Sequence, residues 1–204
     1  MIIAIDYGNS KCGYAIGNNF ISKSGTVKTK DIMKFILNTQ SQKIILGIPL
    51  SMSGNYSTQS LKVLTFANKL LEKGYDVFLI DERLTTKMAS SFGIKDDDAF
   101  SARQIFMDFA QNPSVAQKFR KEKFLNLNLK EENVLFYEVP PSKKVKGDAL
   151  TKDYSIAFLH LSIGNFTYSN PDTLDKKYNI VITKKEFEKT GKNFLKSGGK
   201  IILV

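Results

Sequence analysis

The chain has 204 residues, of which 42% are apolar and 25% charged, the balance of a globular protein with one large domain, or one domain and an appendage. No apolar run approaches the ~18 residues of a membrane span, and a single cysteine, Cys12, excludes an internal disulfide and a multi-cysteine zinc site. Met1 leads straight into an apolar strand, leaving no room for a signal peptide, so a cytoplasmic setting is expected.

The formal net charge of +10 suits a polyanionic partner, RNA or DNA. The excess is uneven: residues 1–112 carry +3 and residues 113–204 carry +7. A change of character at Asn112-Pro113 divides the chain into an N-terminal domain, 1–112, and a basic C-terminal α/β extension, 113–204.

Met1–Ile5 is an isoleucine-rich run that stops on Asp6. The turn cluster Tyr7-Gly8-Asn9-Ser10 follows, then a second apolar run over Gly13–Ile16, so a β-hairpin is predicted whose first strand delivers a carboxylate at its end. Gly8 leaves room for a backbone or a phosphate to approach. Cys12 reads as a small core residue. Phe20–Val27 predicts a third strand, Asp31–Asn38 a helix, and Lys43–Ile48 a buried strand. The loop Gly47-Ile48-Pro49-Leu50-Ser51-Met52-Ser53-Gly54-Asn55 has the serines and glycine that can hold a phosphate at a helix start; an ordinary strand-to-helix loop reads the same way. Ser57–Lys73 is an amphipathic helix capped by Gly74.

Asp76–Ile80 predicts the next strand, and it too ends on acids, Asp81-Glu82, followed by Arg83; Leu84-Thr85-Thr86 opens another helix. Asp96-Asp97-Asp98 precedes the apolar helical face of Ala99–Gln111, set by Phe100, Ile105, Phe106 and Phe109. Acids at a helix start compensate the helix dipole. Three strands first, then alternating helix and strand, is the order of the ribonuclease H-like fold, an α/β mixed sheet flanked by helices. Carboxylates recur at the mouths of its elements: Asp6, Glu82 and the Asp96–Asp98 run. Hard divalent cations take such oxygen ligands.

Four stretches, IIAIDYGNSKCGYAIG, LGIPLSMSGNYSTQS, VFLIDERLTT and DDDAFSARQIFMDF, resemble in order the motifs of the YqgF (RuvX) family of Holliday-junction-resolvase-like nucleases, in the ribonuclease H-like superfamily. Many of its members are described as nucleases of pre-16S rRNA. The resemblance covers residues 1–112. It implies a metal-dependent phosphodiesterase whose catalytic and metal-binding triad falls on Asp6, Glu82 and Asp98, with Asp97 the alternative third acid, and Mg²⁺ or Mn²⁺ as the cofactor. The implied substrate is structured RNA, a ribosomal RNA precursor, with branched DNA second. Gly8, Lys11 and Arg83 are candidate phosphate contacts; Arg83 can equally pair with Asp81. The chain departs from the family at Lys11-Cys12, and at Phe100 and Arg103.

Beyond residue 112, the segment 113–129 reads as a basic helix or linker, Asn133–Val139 as a strand, and Lys143, Lys144 and Lys146 as a basic loop suited to a phosphate backbone. Asp148–Ile163 is predicted helical, Tyr178–Thr183 a strand, Lys184–Leu195 a helix, and Lys200–Val204 a last strand. These elements form either a small α/β domain or an extension of the first sheet. His160, the only histidine, reads as a core or surface-edge residue. Two other classes fit parts of the chain. Asp6-Tyr7-Gly8-Asn9-Ser10 also resembles the phosphate loop of actin-like kinases, but no second Asp-x-Gly follows. A non-catalytic nucleic-acid-binding protein retaining the fold is the other alternative.

Overall fold

The computed structural model describes residues 1–83 and 98–204; the predicted helix at Leu84 and the candidate acids Asp96 and Asp97 lie outside the described residues. By contacts the chain falls into two compact units, Met1–Leu50 with Lys62–Arg120, and Ser51–Leu61 with Lys121–Val204.

The first unit is built on a six-stranded sheet of order β3-β2-β1-β4-β5-β6. β1 (Ile2–Tyr7), β2 (Lys11–Gly17) and β3 (Ile21–Lys28) form an antiparallel meander. β4 (Lys43–Ile48) joins β1 in parallel and β5 (Asp76–Asp81) joins β4 in parallel. This is the mixed sheet of the ribonuclease H-like fold expected from the order of elements. The carboxyl ends of β1, β4 and β5 therefore lie along one edge.

The pleat sends alternate residues to opposite faces. Ala4, Ala15, Ile45 and Ile80 meet Ala102, Ile105, Phe106 and Phe109 of α3 (Asp98–Gln111). Alanines facing each other on β1 and β2 let this helix approach closely. The other face takes α1 (Ile32–Leu37), where Phe35 packs on Tyr14 with ring centroids 4.4 Å apart, and α2 (Thr58–Glu72), where Phe66 stacks on Tyr7 at 4.5 Å. Ser57 and Ser60 cap the start of α2 reciprocally, each hydroxyl accepting from the other's backbone N–H at 3.2 and 2.9 Å. Gly74, at φ +87°, ends it, with Tyr75 N–H donating back to the Leu70 carbonyl.

The unit continues past residue 112. β6 (Gln117–Lys118) pairs antiparallel with Phe78 and Leu79 of β5, and Phe119 is buried. The segment predicted as a basic helix or linker is thus an edge strand followed by irregular chain. Its alternating Leu125, Leu127 and Leu129 pack on the second unit's core.

That core belongs to a separate five-stranded sheet, order β11-β10-β7-β8-β9, parallel throughout. Its strands are β7 (Val134–Tyr137), β8 (Asp148–Leu150), β9 (Thr167–Tyr168), β10 (Tyr178–Thr183) and β11 (Leu195–Leu203). Three predicted elements change. The helix expected over 148–163 begins as β8; only Tyr154–Ser162 is helical (α4), because Asp153 caps it by accepting from the N–H groups of Ser155 and Ile156. The expected helix 184–195 is broken into 3-10 turns around one α-turn, α5 (Glu188–Gly191). The last strand starts at Leu195, five residues early, passing through Gly198 at φ +75°. Among the described residues no helix is long and apolar enough to cross a membrane.

Candidate metal centre

Asp6 is the penultimate residue of β1 and shares a face with Ala4, the face covered by α3. Glu82 follows β5 and shares the face of Ile80; its N–H donates to the Ile48 carbonyl at 3.2 Å, continuing the ladder one step beyond the strand. Asp98 opens α3 and lies on the stripe that continues as Ala102, Ile105 and Phe109. The three acids thus share one face at one edge of the sheet.

Two glycines make this possible. Gly13, the cross-strand partner of Asp6, lies against the Asp98 backbone, so that a Cβ there would collide with the Asp98 carbonyl. The start of α3 therefore rests directly on β2 beside Asp6. Gly47 of β4 sits between β1 and β5, and the space its side chain would fill holds the Glu82 carboxyl, with Ile105 next to it. Glu82 thus lies across β4 on the side of Asp6. Burial raises the Glu82 carboxyl to about 8, and the negative charges of Asp6 and Asp81 push the same way. Its ionised form is disfavoured until a cation joins it.

Asp98 is differently placed. Lys11 Nζ stands 2.9 Å from Asp98 Oδ2, an ion pair. The pair's geometry falls short of a hydrogen bond, so this buried oxygen has a charge beside it and no donor aimed at it. Lys11, a candidate phosphate contact, is thus engaged by the third acid. Arg83 closes on Asp81, with Nη2–Oδ2 at 2.6 Å and Nε 3.1 Å from both oxygens, so the pairing read as one of two options is the one formed. Gly8 is required by its turn, since a Cβ would strike the Lys11 carbonyl. Thr29 fastens that turn, its hydroxyl donating to the Gly8 carbonyl at 2.8 Å and its N–H to that of Ser10 at 3.0 Å. Cys12 is buried and free, its thiol raised chiefly by burial.

A residue missed in the sequence is Lys62. It sits on the polar side of α2, where spacing alone gives it a solvated role. Its Nζ donates to Asn9 Oδ1 at 2.7 Å, in the turn that follows Asp6. The serine loop also reads differently: Asn55 Nδ2 donates to Thr173 Oγ1 at 2.8 Å, Asn170 Nδ2 to the Ser53 carbonyl at 2.9 Å, and Ser169 Oγ to the Gly54 carbonyl. Its groups are spent within the second unit. There, Lys143 lies over the Phe124 ring at 4.8 Å, and Lys144 and Lys146 are exposed.

Among the described residues, no three His, Cys, Asp or Glu side chains stand close enough to form a ready metal cage. A Mg²⁺-type site needs less: one or two carboxylates, with waters and substrate phosphates completing the shell. Asp6 and Glu82, whose carboxyl feels the charge of Asp6, supply such a pair, and Asp98 adds an oxygen already beside a cation. The donor set is all oxygen, as a hard ion requires.

A three-stranded meander continued by parallel strands, with acids at its carboxyl edge, defines a ribonuclease H-like α/β protein. The comparisons with known proteins narrow this. Residues 1–109 match the family model of RuvX, described as Holliday junction resolvase, and the chain belongs to that family. A protein of Thermotoga maritima named "Putative pre-16S rRNA nuclease" is 39% identical over 209 residues, covering 99% of this chain and 94% of its own length. Proteins of the same name from Rickettsia rickettsii and Alcanivorax borkumensis are 35% and 34% identical, covering 51% and 48% of this chain. The Thermotoga relative thus runs through the second unit as well; these two match about half of the chain.

Proposed function

We propose that this chain is a divalent-metal-dependent nuclease that hydrolyses phosphodiester bonds in structured RNA, with the ends of a ribosomal RNA precursor as substrate. The observation that carries this reading is the meeting of acids at one edge: Gly47 makes room for Glu82 to lie on the side of Asp6, and Gly13 seats Asp98 beside Asp6's partner strand. The family and the names of the relatives point the same way. Branched DNA is the second substrate, favoured by the description of the family model. A cytoplasmic location follows from such a substrate.

In this reading Asp6 and Glu82 hold Mg²⁺ or Mn²⁺, with Asp98 as the third acid. The ion supplies a lowered pKa for water and a counter-charge for the oxygens of the scissile phosphate. The protein's own residues do the rest. Asp6 and Glu82 would hold the ion, and their carboxylates fix the place on the sheet's edge to which its charge would draw the phosphate. Glu82 is partly withdrawn from water beside Ile105, and in that less polar setting each charge interaction is strengthened. Lys62 places a cation at the mouth of the site, where a neighbouring phosphate would pass. Lys11 offsets the charge of Asp98. The region 113–204, with its excess of +7, adds electrostatic affinity for the RNA backbone.

Replacing Asp6 with Asn tests the assignment. The expected outcome is loss of Mg²⁺-dependent cleavage of precursor rRNA fragments, by about 10²-fold or more for one lost charge at a site of this kind, with the thermal unfolding midpoint unchanged or raised because the repulsion on Glu82 is relieved. Cleavage at the wild-type rate would remove Asp6 from the chemistry.

A further inference from the structure

The second sheet is doubly wound. The chain enters at β7 in the middle, builds outward through β8 and β9, then returns to the other side of β7 for β10 and β11. In sheets of this kind the usual ligand crevice opens beyond the carboxyl ends, where the winding reverses, here between β7 and β10. That crevice is closed. Thr183 Oγ1 donates to the Tyr137 carbonyl at 2.9 Å, and the Tyr137 ring packs between Phe187 and Phe194. The Glu138 carboxylate accepts from Thr151 Oγ1 and Lys152 N–H at 2.6 and 3.1 Å.

The open cleft is at the opposite edge. A cavity of about 350 Å³ lies at the amino ends of the strands, lined by Lys146, Asp148, Ile163, Asn165, Phe166 and Lys176, among others. Its volume is that of a small-ligand site. Phe166 is 76% exposed and Ile163 40% exposed. The Phe166 backbone is nonetheless fixed, because its carbonyl accepts from Ala149 N–H on β8 at 2.8 Å. Asn165 is fixed too, its amide meeting His160 Nδ1 at 3.0 Å. A pinned backbone thus presents an aromatic ring to water, where leaving it uncovered costs hydrophobic free energy. Two cations flank it. Lys176 is committed to Asp148, at 3.1 Å. Lys146 is exposed and has no ion-pair partner among the described residues.

We propose that this cleft binds one nucleotide of single-stranded RNA, its base stacked on Phe166 and its phosphate at Lys146. The choice of RNA as occupant rests on the nuclease reading above. A flat apolar face beside an uncommitted cation is the complement of a base and its phosphate. A duplex does not serve, because its bases already stack on one another. An apolar peptide would leave Lys146 unused.

The test uses the full chain carrying Asp6→Asn, in chelator, with binding of a fluorescein-labelled oligouridylate followed by anisotropy. Phe166→Ala is expected to weaken binding about tenfold, the loss of one stacked base, and Phe166→Tyr to restore it. Lys146→Ala should make the plot of log affinity against log salt shallower by about 0.7, one single-strand phosphate contact. Binding of a hairpin duplex should not respond to Phe166→Ala. Affinity equal to the parent's in Phe166→Ala, or equal weakening for strand and duplex, overturns the proposal. So does competition by free uridine monophosphate at concentrations matching the oligonucleotide, which would make this a mononucleotide site. Cleavage by the chain with Asp6 intact, measured alongside, separates the two claims. Phe166-dependent binding without any cleavage keeps the cleft and retires the nuclease; cleavage with Phe166-independent binding does the reverse.

Discussion

His160 shows how one side chain can be set entirely by its surroundings. It is fully buried. Its Nε2–H donates to the Val139 carbonyl at 2.9 Å, which leaves Nδ1 to accept from the Asn165 amide at 3.0 Å. Both ring nitrogens are satisfied in the neutral form. Burial lowers its pKa from the ordinary 6.5 to about 4, the hydrogen bond to Val139 opposing this in part. The unfolded chain therefore binds a proton between pH 6.5 and 4 that the folded chain refuses, and stability falls as pH drops through that window. The loss amounts to about 3 kcal/mol at most. Urea midpoints measured from pH 7 to pH 4 should fall more steeply for the wild type than for His160→Gln; parallel curves would contradict the assignment.

At the scale of elements, the site depends on how closely α3 approaches β2. Gly13 is the point of contact, and any side chain there meets the Asp98 backbone. Gly13→Ala should therefore push the start of α3 away from the sheet. Overpacking of this kind costs about 1–3 kcal/mol, read from denaturant unfolding, and cleavage should fall with it because Asp98 moves. A variant as stable and as active as the wild type would show that the helix start can shift freely. The spacing of Ala99–Gln111 revealed the helix and its apolar face; nothing in the spacing said that its first turn would sit on Gly13. The broken helix at 184–195 and the strand at 148–150 were illegible for a related reason. Short segments take the conformation their neighbours impose, and β8 exists because β7 and β9 pair with it.

For the molecule as a whole, charge would govern an encounter with a nucleic acid. A net +10 predicts binding that weakens steeply with salt, by at least about tenfold between 50 and 200 mM in anisotropy titrations, since each neutralised phosphate releases counterions. An affinity indifferent to salt would mean that the basic surface takes no part.

The order of apolar runs was enough to determine the first five strands along the chain and the two ends on which Asp6 and Glu82 fall, because a buried strand declares itself by where its apolar run stops. The fate of each cation was decided only in three dimensions: Arg83 closes on Asp81, Lys11 pairs with Asp98, Lys62 reaches Asn9, and Lys146 is left uncommitted in a cleft. Lysine and arginine reach several ångströms on flexible stems, so their partners depend on which elements the fold brings beside them and not on the residues beside them in the chain.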